Sequence, residues 1–157
     1  MRELMNLSHA DVVELLDLAP LPGEGGHFRQ TFADGLSTAI YYLIGGEHFS
    51  ALHRLTGPEV YHWYAGAPLD LFCLHPDGAT QQVSLGPDIA SGQQPQAAVA
   101  AGVWQGSRSA GQWTLIGTTM APPFTEAGFE LADERLAEEY PHAATQIRQL
   151  LPVEPSR

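Results

Sequence analysis

The chain has 157 residues, 44% hydrophobic and 16% charged, which suits one soluble domain with its own core and excludes a disordered segment. Its formal net charge of -11, from seven arginines against eighteen acidic residues, argues against nucleic acid and anionic membrane surfaces as partners. Lysine is absent, which excludes a Schiff-base lysine, a pyridoxal-phosphate anchor and a Walker-type phosphate loop.

Residues 1–9 lack a basic region followed by an apolar one, so no secretory signal is expected. No apolar run approaches the roughly 18 residues that span a bilayer. Residues 8–17 predict a short helix. Ser8 is its N-cap, Asp11 stands where a carboxylate favours the helix dipole, and Val12, Leu15 and Leu16 recur at helical spacing. Residues 18–26, rich in proline and glycine, then interrupt regular structure, and Gly25-Gly26 reads as a turn rather than a phosphate cradle.

From His27 to about Met120, short segments rich in aromatic and β-branched residues alternate with turn signals. Strands are expected at 27–33, 37–44, 48–55, 59–65, 69–75, 80–85, 96–99, 102–106 and 112–120, a spacing that indicates a sandwich or barrel. Asp77-Gly78 supplies a hairpin turn. The lone Cys73 sits in an apolar run and reads as a buried, inert thiol, and a chain with one cysteine is by default cytoplasmic. Residues 89–101 form an exposed loop or irregular edge. After Pro122-Pro123, helices are expected at 132–140 and 141–151, with Pro141 in the first turn of the second. The six carboxylates of residues 126–139 read as a solvated face.

Residues 46–66 carry the chemistry. A strand ends at His53 and Arg54, Thr56-Gly57-Pro58 makes a turn, and Glu59 opens the next strand, which closes on Gly66. This layout places His53 and Glu59 side by side on neighbouring strands. Strict alternation puts Phe49, Ala51, His53 and Leu55 on one face, with Ser50, Leu52 and Arg54 on the other. It also groups Glu59 with Tyr61 and Trp63, opposite Val60, His62 and Tyr64.

In this stretch the chain resembles the cupin superfamily. The first cupin motif runs Gly, five residues, His, one residue, His, three or four residues, Glu, six residues, Gly. His53, Glu59 and Gly66 match it, Gly46 is one residue too far from His53, and Leu55 replaces the second histidine. In the second motif Gly102 matches, Gln105 replaces the ligating histidine and Ser109 stands at the asparagine. His53, Glu59 and Gln105 are therefore the metal ligands the resemblance allows, a poor set for zinc, iron, nickel or manganese.

The ordered segments 25–31, 38–44, 52–54, 59–66, 103–105 and 121–124 resemble one branch, the small single-domain cupins labelled predicted sugar epimerases or of unknown function. The resemblance implies one all-β cupin jelly-roll barrel over about 27–120 with helical flanks at 8–17 and 132–151. It also implies a homodimer and a fold similar to dTDP-4-dehydrorhamnose 3,5-epimerase. An epimerase acting beside a ketone needs a base, an opposing acid and a donor or cation for the enolate. His53 is then the base and Glu59 its orienting partner. Tyr41, Tyr61 or Tyr64 is the acid, and Arg29 or Arg54 the cation, although alternation turns Arg54 away from His53. The catalytic set is His53, Glu59 and Tyr61; the ligand-binding set is Arg29, Tyr41, Trp63, Trp104 and Gln105. The expected partner is a small polar metabolite, a sugar or nucleotide sugar, with no cofactor required and a divalent metal as an option. Three alternatives stand beside catalysis. One is a non-catalytic metabolite-binding barrel, another a metal-dependent isomerase or dioxygenase with a degenerate site, and the third a buried His53–Glu59 hydrogen bond that serves only the fold.

Overall fold

The computed structural model describes residues 6–153; residues 1–5, part of the stretch read above for a leader, lie outside the described residues, as do 154–157. Eleven strands and three α-helices are seen among those described. In chain order they are α1 (His9–Leu15), β1 (Ala19–Pro20), β2 (His27–Ala33), β3 (Thr38–Gly45), β4 (Ser50–Leu55), β5 (Glu59–Gly66), β6 (Leu69–Leu74), β7 (Thr80–Leu85), β8 (Gln96–Val99), β9 (Trp104–Ser109), β10 (Trp113–Met120), β11 (Phe129–Leu131), α2 (Glu134–Glu139) and α3 (Ala144–Gln149).

The expected all-β domain with short helical flanks is present, but its strands do not close into one barrel. They form a six-stranded sheet, ordered β1-β2-β3-β10-β5-β8, and a five-stranded sheet, ordered β11-β4-β9-β6-β7. Between the sheets, Tyr42, Ile44, Tyr61 and Ile116 of the first pack with Leu69, Leu71, Cys73, Val83 and Leu85 of the second. Burial raises the Cys73 thiol to about 11, which keeps it protonated and unreactive.

Each outer face is covered by a helical flank. Helix α1 is capped by Ser8 in a reciprocal box with Asp11, and its buried Val12 joins Leu43, Ala65, Trp113 and Leu115 on the six-stranded sheet. Leu136, Ala137, Ile147 and Leu150 of the C-terminal helices cover Leu52, Phe72, Leu74 and Trp104 on the five-stranded sheet. None of the helices described is long and apolar enough to cross a membrane.

Two connections position the site. The Thr56-Gly57-Pro58 turn carries the chain from β4 in one sheet to β5 in the other. His53 and Glu59 are therefore not on neighbouring hydrogen-bonded strands, as the spacing suggested, but on opposing sheets. The pairing of β4 with β9 runs Ser50 to Ser107 and then His53 to Gln105, with a register shift between. That irregularity breaks strict alternation, so Ser50 shares the inner side with His53, in place of Ala51.

Candidate functional site

The inter-sheet space is apolar at the β6–β7 end and polar where β4 and β9 face β3, β5 and β10. A cavity of about 180 Å³ opens there. Its polar lining comprises Glu24, Gln30, Thr38, Tyr42, His53, Glu59, Tyr61 and Thr118, and its apolar wall includes Phe28, Ile40, Leu55, Phe124 and Phe129.

His53 is 3% exposed, and its Nδ1 lies 2.8 Å from the Ala51 carbonyl oxygen. A carbonyl only accepts, so Nδ1 carries the proton and donates, leaving Nε2 bare in the neutral ring. The Phe129 ring, 5.2 Å away between centroids, packs against the imidazole. The orienting partner of His53 is thus the Ala51 carbonyl rather than Glu59, because Glu59 belongs to the opposite wall.

Glu59 is 8% exposed. Burial raises its carboxyl from 4.5 to about 7, against the lowering influence of His53. The nearby Glu24 carboxylate raises it further, while hydrogen bonds from Thr118 and Gln105 pull it down. Gln105 is buried, and its Oε1 accepts a 2.7 Å hydrogen bond from the Tyr61 hydroxyl. Its amide nitrogen is left to donate to Glu59. Burial drives the Tyr61 and Tyr42 hydroxyls well above their ordinary range, so both stay protonated. Tyr61 spends its proton on Gln105, and Tyr42 donates to the Gly25 carbonyl at 2.8 Å.

Glu24 is the residue that sequence reading missed. It lies in the 21–26 loop, where Gly23, Gly25 and Gly26 all take positive φ. Its carbonyl accepts from the Ala51 N–H at 2.7 Å, and its Oε1 accepts from the Ser50 hydroxyl at 2.8 Å. The same Oε1 stands 3.8 Å from His53 Nδ1. A carboxylate flanked by glycines was the available signal, since such a loop can fold back onto a sheet.

Of the expected site residues, His53, Glu59 and Tyr61 meet at the cavity, with Gln105 directly behind Tyr61. The others do not. Phe28, Gln30, Ile40 and Tyr42 face the cavity, so Arg29 and Tyr41 occupy the other side of the same sheet, with the Arg29 guanidinium 5.5 Å from the Tyr41 ring. Tyr64, 48% exposed, packs edge-on to Tyr41 there. Trp63 packs against the inter-sheet core away from the cavity lining and donates to the Ala67 carbonyl at 3.1 Å. Trp104 faces the C-terminal helices beneath Arg54, whose guanidinium lies 4.7 Å from its ring and pairs with Glu130. The cavity lining therefore contains no arginine.

A metal fits this donor set poorly. Gln105 spends its oxygen on Tyr61, Leu55 contributes only hydrocarbon, and His53 faces Glu59 with no second imidazole. Among the described residues, no three His, Cys, Asp or Glu side chains stand ready to hold an ion.

A family model described as Cupin superfamily (DUF985) matches residues 10–132. No curated protein sequence matches the chain. A solved protein from Shewanella oneidensis is 29% identical over 94% of this chain and 99% of its own, with a TM-score of 0.89. A hypothetical protein from Leishmania major is 24% identical over 94% and 100%, with a TM-score of 0.87. At the level of fold, Streptomyces PAC13, solved with uridine, is similar at 11% identity over 75% and 87%, with a TM-score of 0.54.

Proposed function

The chain belongs to the cupin superfamily, and from that premise we propose that it is an epimerase or isomerase of a small, uncharged keto-sugar or similar hydroxycarbonyl compound. The observation that carries this reading is the pair His53 and Glu59, facing one cavity from opposite sheets. His53 Nε2, unprotonated, removes a proton from the carbon beside the carbonyl. Glu59, which keeps its proton up to about pH 7, returns one to the opposite face. Gln30 and Thr38 are neutral donors within reach of the carbonyl side. Proton exchange with solvent then resets the imidazolium and the carboxylate.

Size and charge restrict the substrate. A volume of about 180 Å³ corresponds to roughly six waters of liquid, room for a small sugar rather than a whole nucleotide sugar. With Glu24 and Glu59 in the wall and no arginine, a phosphate or diphosphate finds no partner inside. The reading includes one domain, a homodimer and no required cofactor.

Incubation of a panel of free keto-sugars with the protein in deuterium oxide tests it. One substrate should acquire deuterium at the carbon beside its carbonyl, and His53→Gln and Glu59→Gln should each slow that exchange by about 100-fold or more. Tight binding of a panel member without exchange would contradict catalysis and support a binding barrel. Uridine, seen with the Streptomyces protein, belongs in the same panel.

A further inference from the structure

Away from the cavity, three histidines from separate elements meet at the surface. His9 opens α1, His27 opens β2, and His48 follows the Gly45-Gly46 turn between β3 and β4. Their ring centroids are 5.1 Å apart for His9 and His27, 5.3 Å for His27 and His48, and 6.4 Å for His9 and His48. Their neighbours in the chain do not explain the gathering. His27 meets His9 and His48 edge to face, His9 and His48 are stacked, and two of the ring nitrogens lack a hydrogen-bond partner among the described residues. His9 Nε2 and His27 Nδ1 are both buried without a hydrogen bond. A buried, unpaired nitrogen costs on the order of 1–3 kcal/mol, so two together ask for a ligand that accepts lone pairs.

We propose that His9, His27 and His48 form a binding site for a divalent transition metal of the zinc class. Three imidazoles are a familiar donor set for zinc, copper or nickel, and Glu14 and Glu47 border the same hollow. With a metal–nitrogen bond of about 2.0 Å and the ring centre about 1.1 Å further out, two imidazoles at a tetrahedral angle place their centres about 5 Å apart. Two of the three separations already meet that value. As they stand the side chains are not a finished coordination sphere. The long separation involves His48, which is exposed and follows two glycines with positive φ. Holding an ion requires the exposed His48 ring to move inward by about 1.4 Å and the three rings to turn their nitrogens toward one point, within the reach of side-chain rotation. Binding there would tie α1 to the sheet and to the β3–β4 turn without touching His53 or Glu59.

Calorimetric titration of the chelator-treated full chain with Zn²⁺ alone, repeated with Ni²⁺, tests the site. One ion per chain should bind, and His48→Ala, an exposed change that spares the core, should weaken binding at least tenfold. His27→Ala should do the same, while His53→Gln should leave affinity unchanged. Ni²⁺ should also broaden the imidazole proton resonances of His9, His27 and His48 in the unmodified protein before those of other histidines. Failure of both ions to bind, or binding that His48→Ala leaves intact, would overturn the proposal, as would broadening centred on His53.

Discussion

Glu59→Gln is expected to raise the melting temperature at pH 8 by on the order of 10 °C. The folded protein holds the Glu59 proton up to about pH 7, whereas the carboxyl's ordinary value is 4.5. Between those values the folded state binds more protons than the unfolded one, so stability falls as pH rises. The contribution is fully present below pH 4.5, declines through the window and stays lost above about 7. At about 1.4 kcal/mol per pH unit the loss is on the order of 3 kcal/mol. For a protein of this size each kcal/mol moves the melting temperature by about 2–4 °C. Glutamine keeps the shape and carries no charge to desolvate, so the variant escapes the loss. Thermal melts of both proteins between pH 4 and 8.5 check this, read as the difference between them, so that the other carboxylates cancel. The curves should converge near pH 4 and separate toward pH 8; parallel curves would contradict it.

Gly25→Ala has the opposite sign. Gly25 sits at φ +95°, and a Cβ there would overlap the Phe49 carbonyl oxygen. Backbone is what it strikes, so the 21–26 loop must move, and the loop carries both Glu24 and the carbonyl that accepts from Tyr42. A loss of about 3 kcal/mol, roughly 10 °C in melting temperature, is expected. Gly46→Ala is the comparison. Gly46 also has positive φ, but a Cβ there meets nothing within 4 Å, so the change costs about 1–2 kcal/mol of backbone strain alone. Equal melting temperatures for the two variants would show that the 21–26 loop is not held as described.

Much of the fold was readable because its signals are local. The nine expected strands correspond to β2 through β10 within a few residues, since alternating apolar residues and glycine turns report pleat and reversal directly. Ser8 caps α1, and Asp77-Gly78 turns β6 into β7, for equally local reasons. The short β1 and β11 escaped because strands of two and three residues have no period to detect.

The site was legible in part. On β5, alternation correctly grouped Glu59 with Tyr61, since that strand is regular up to the irregularity near Trp63. On β4 the same argument failed at Ser50, because a register shift is set by the partner strand and leaves no mark in the sequence. Arg29 and Tyr41 were assigned to the pocket by residue type, but side chains on a sheet choose their face by pleat, and theirs is the outer one. Trp104 was expected beside Gln105 in the pocket, yet adjacent strand residues point oppositely, and only Gln105 turns inward. Glu24 left only the signal of a carboxylate between glycines, because its place depends on how that loop folds back.

The central claim is that Glu59 is a buried acid facing His53 across the cavity. Titration of the Glu59 side-chain carboxyl by carbon-13 NMR, assigned with Glu59→Gln, tests it most directly. A midpoint near pH 7 is predicted. His53→Gln should move that midpoint upward, because it removes the influence that lowers it. A midpoint near 4.5, unchanged by His53→Gln, would contradict the account.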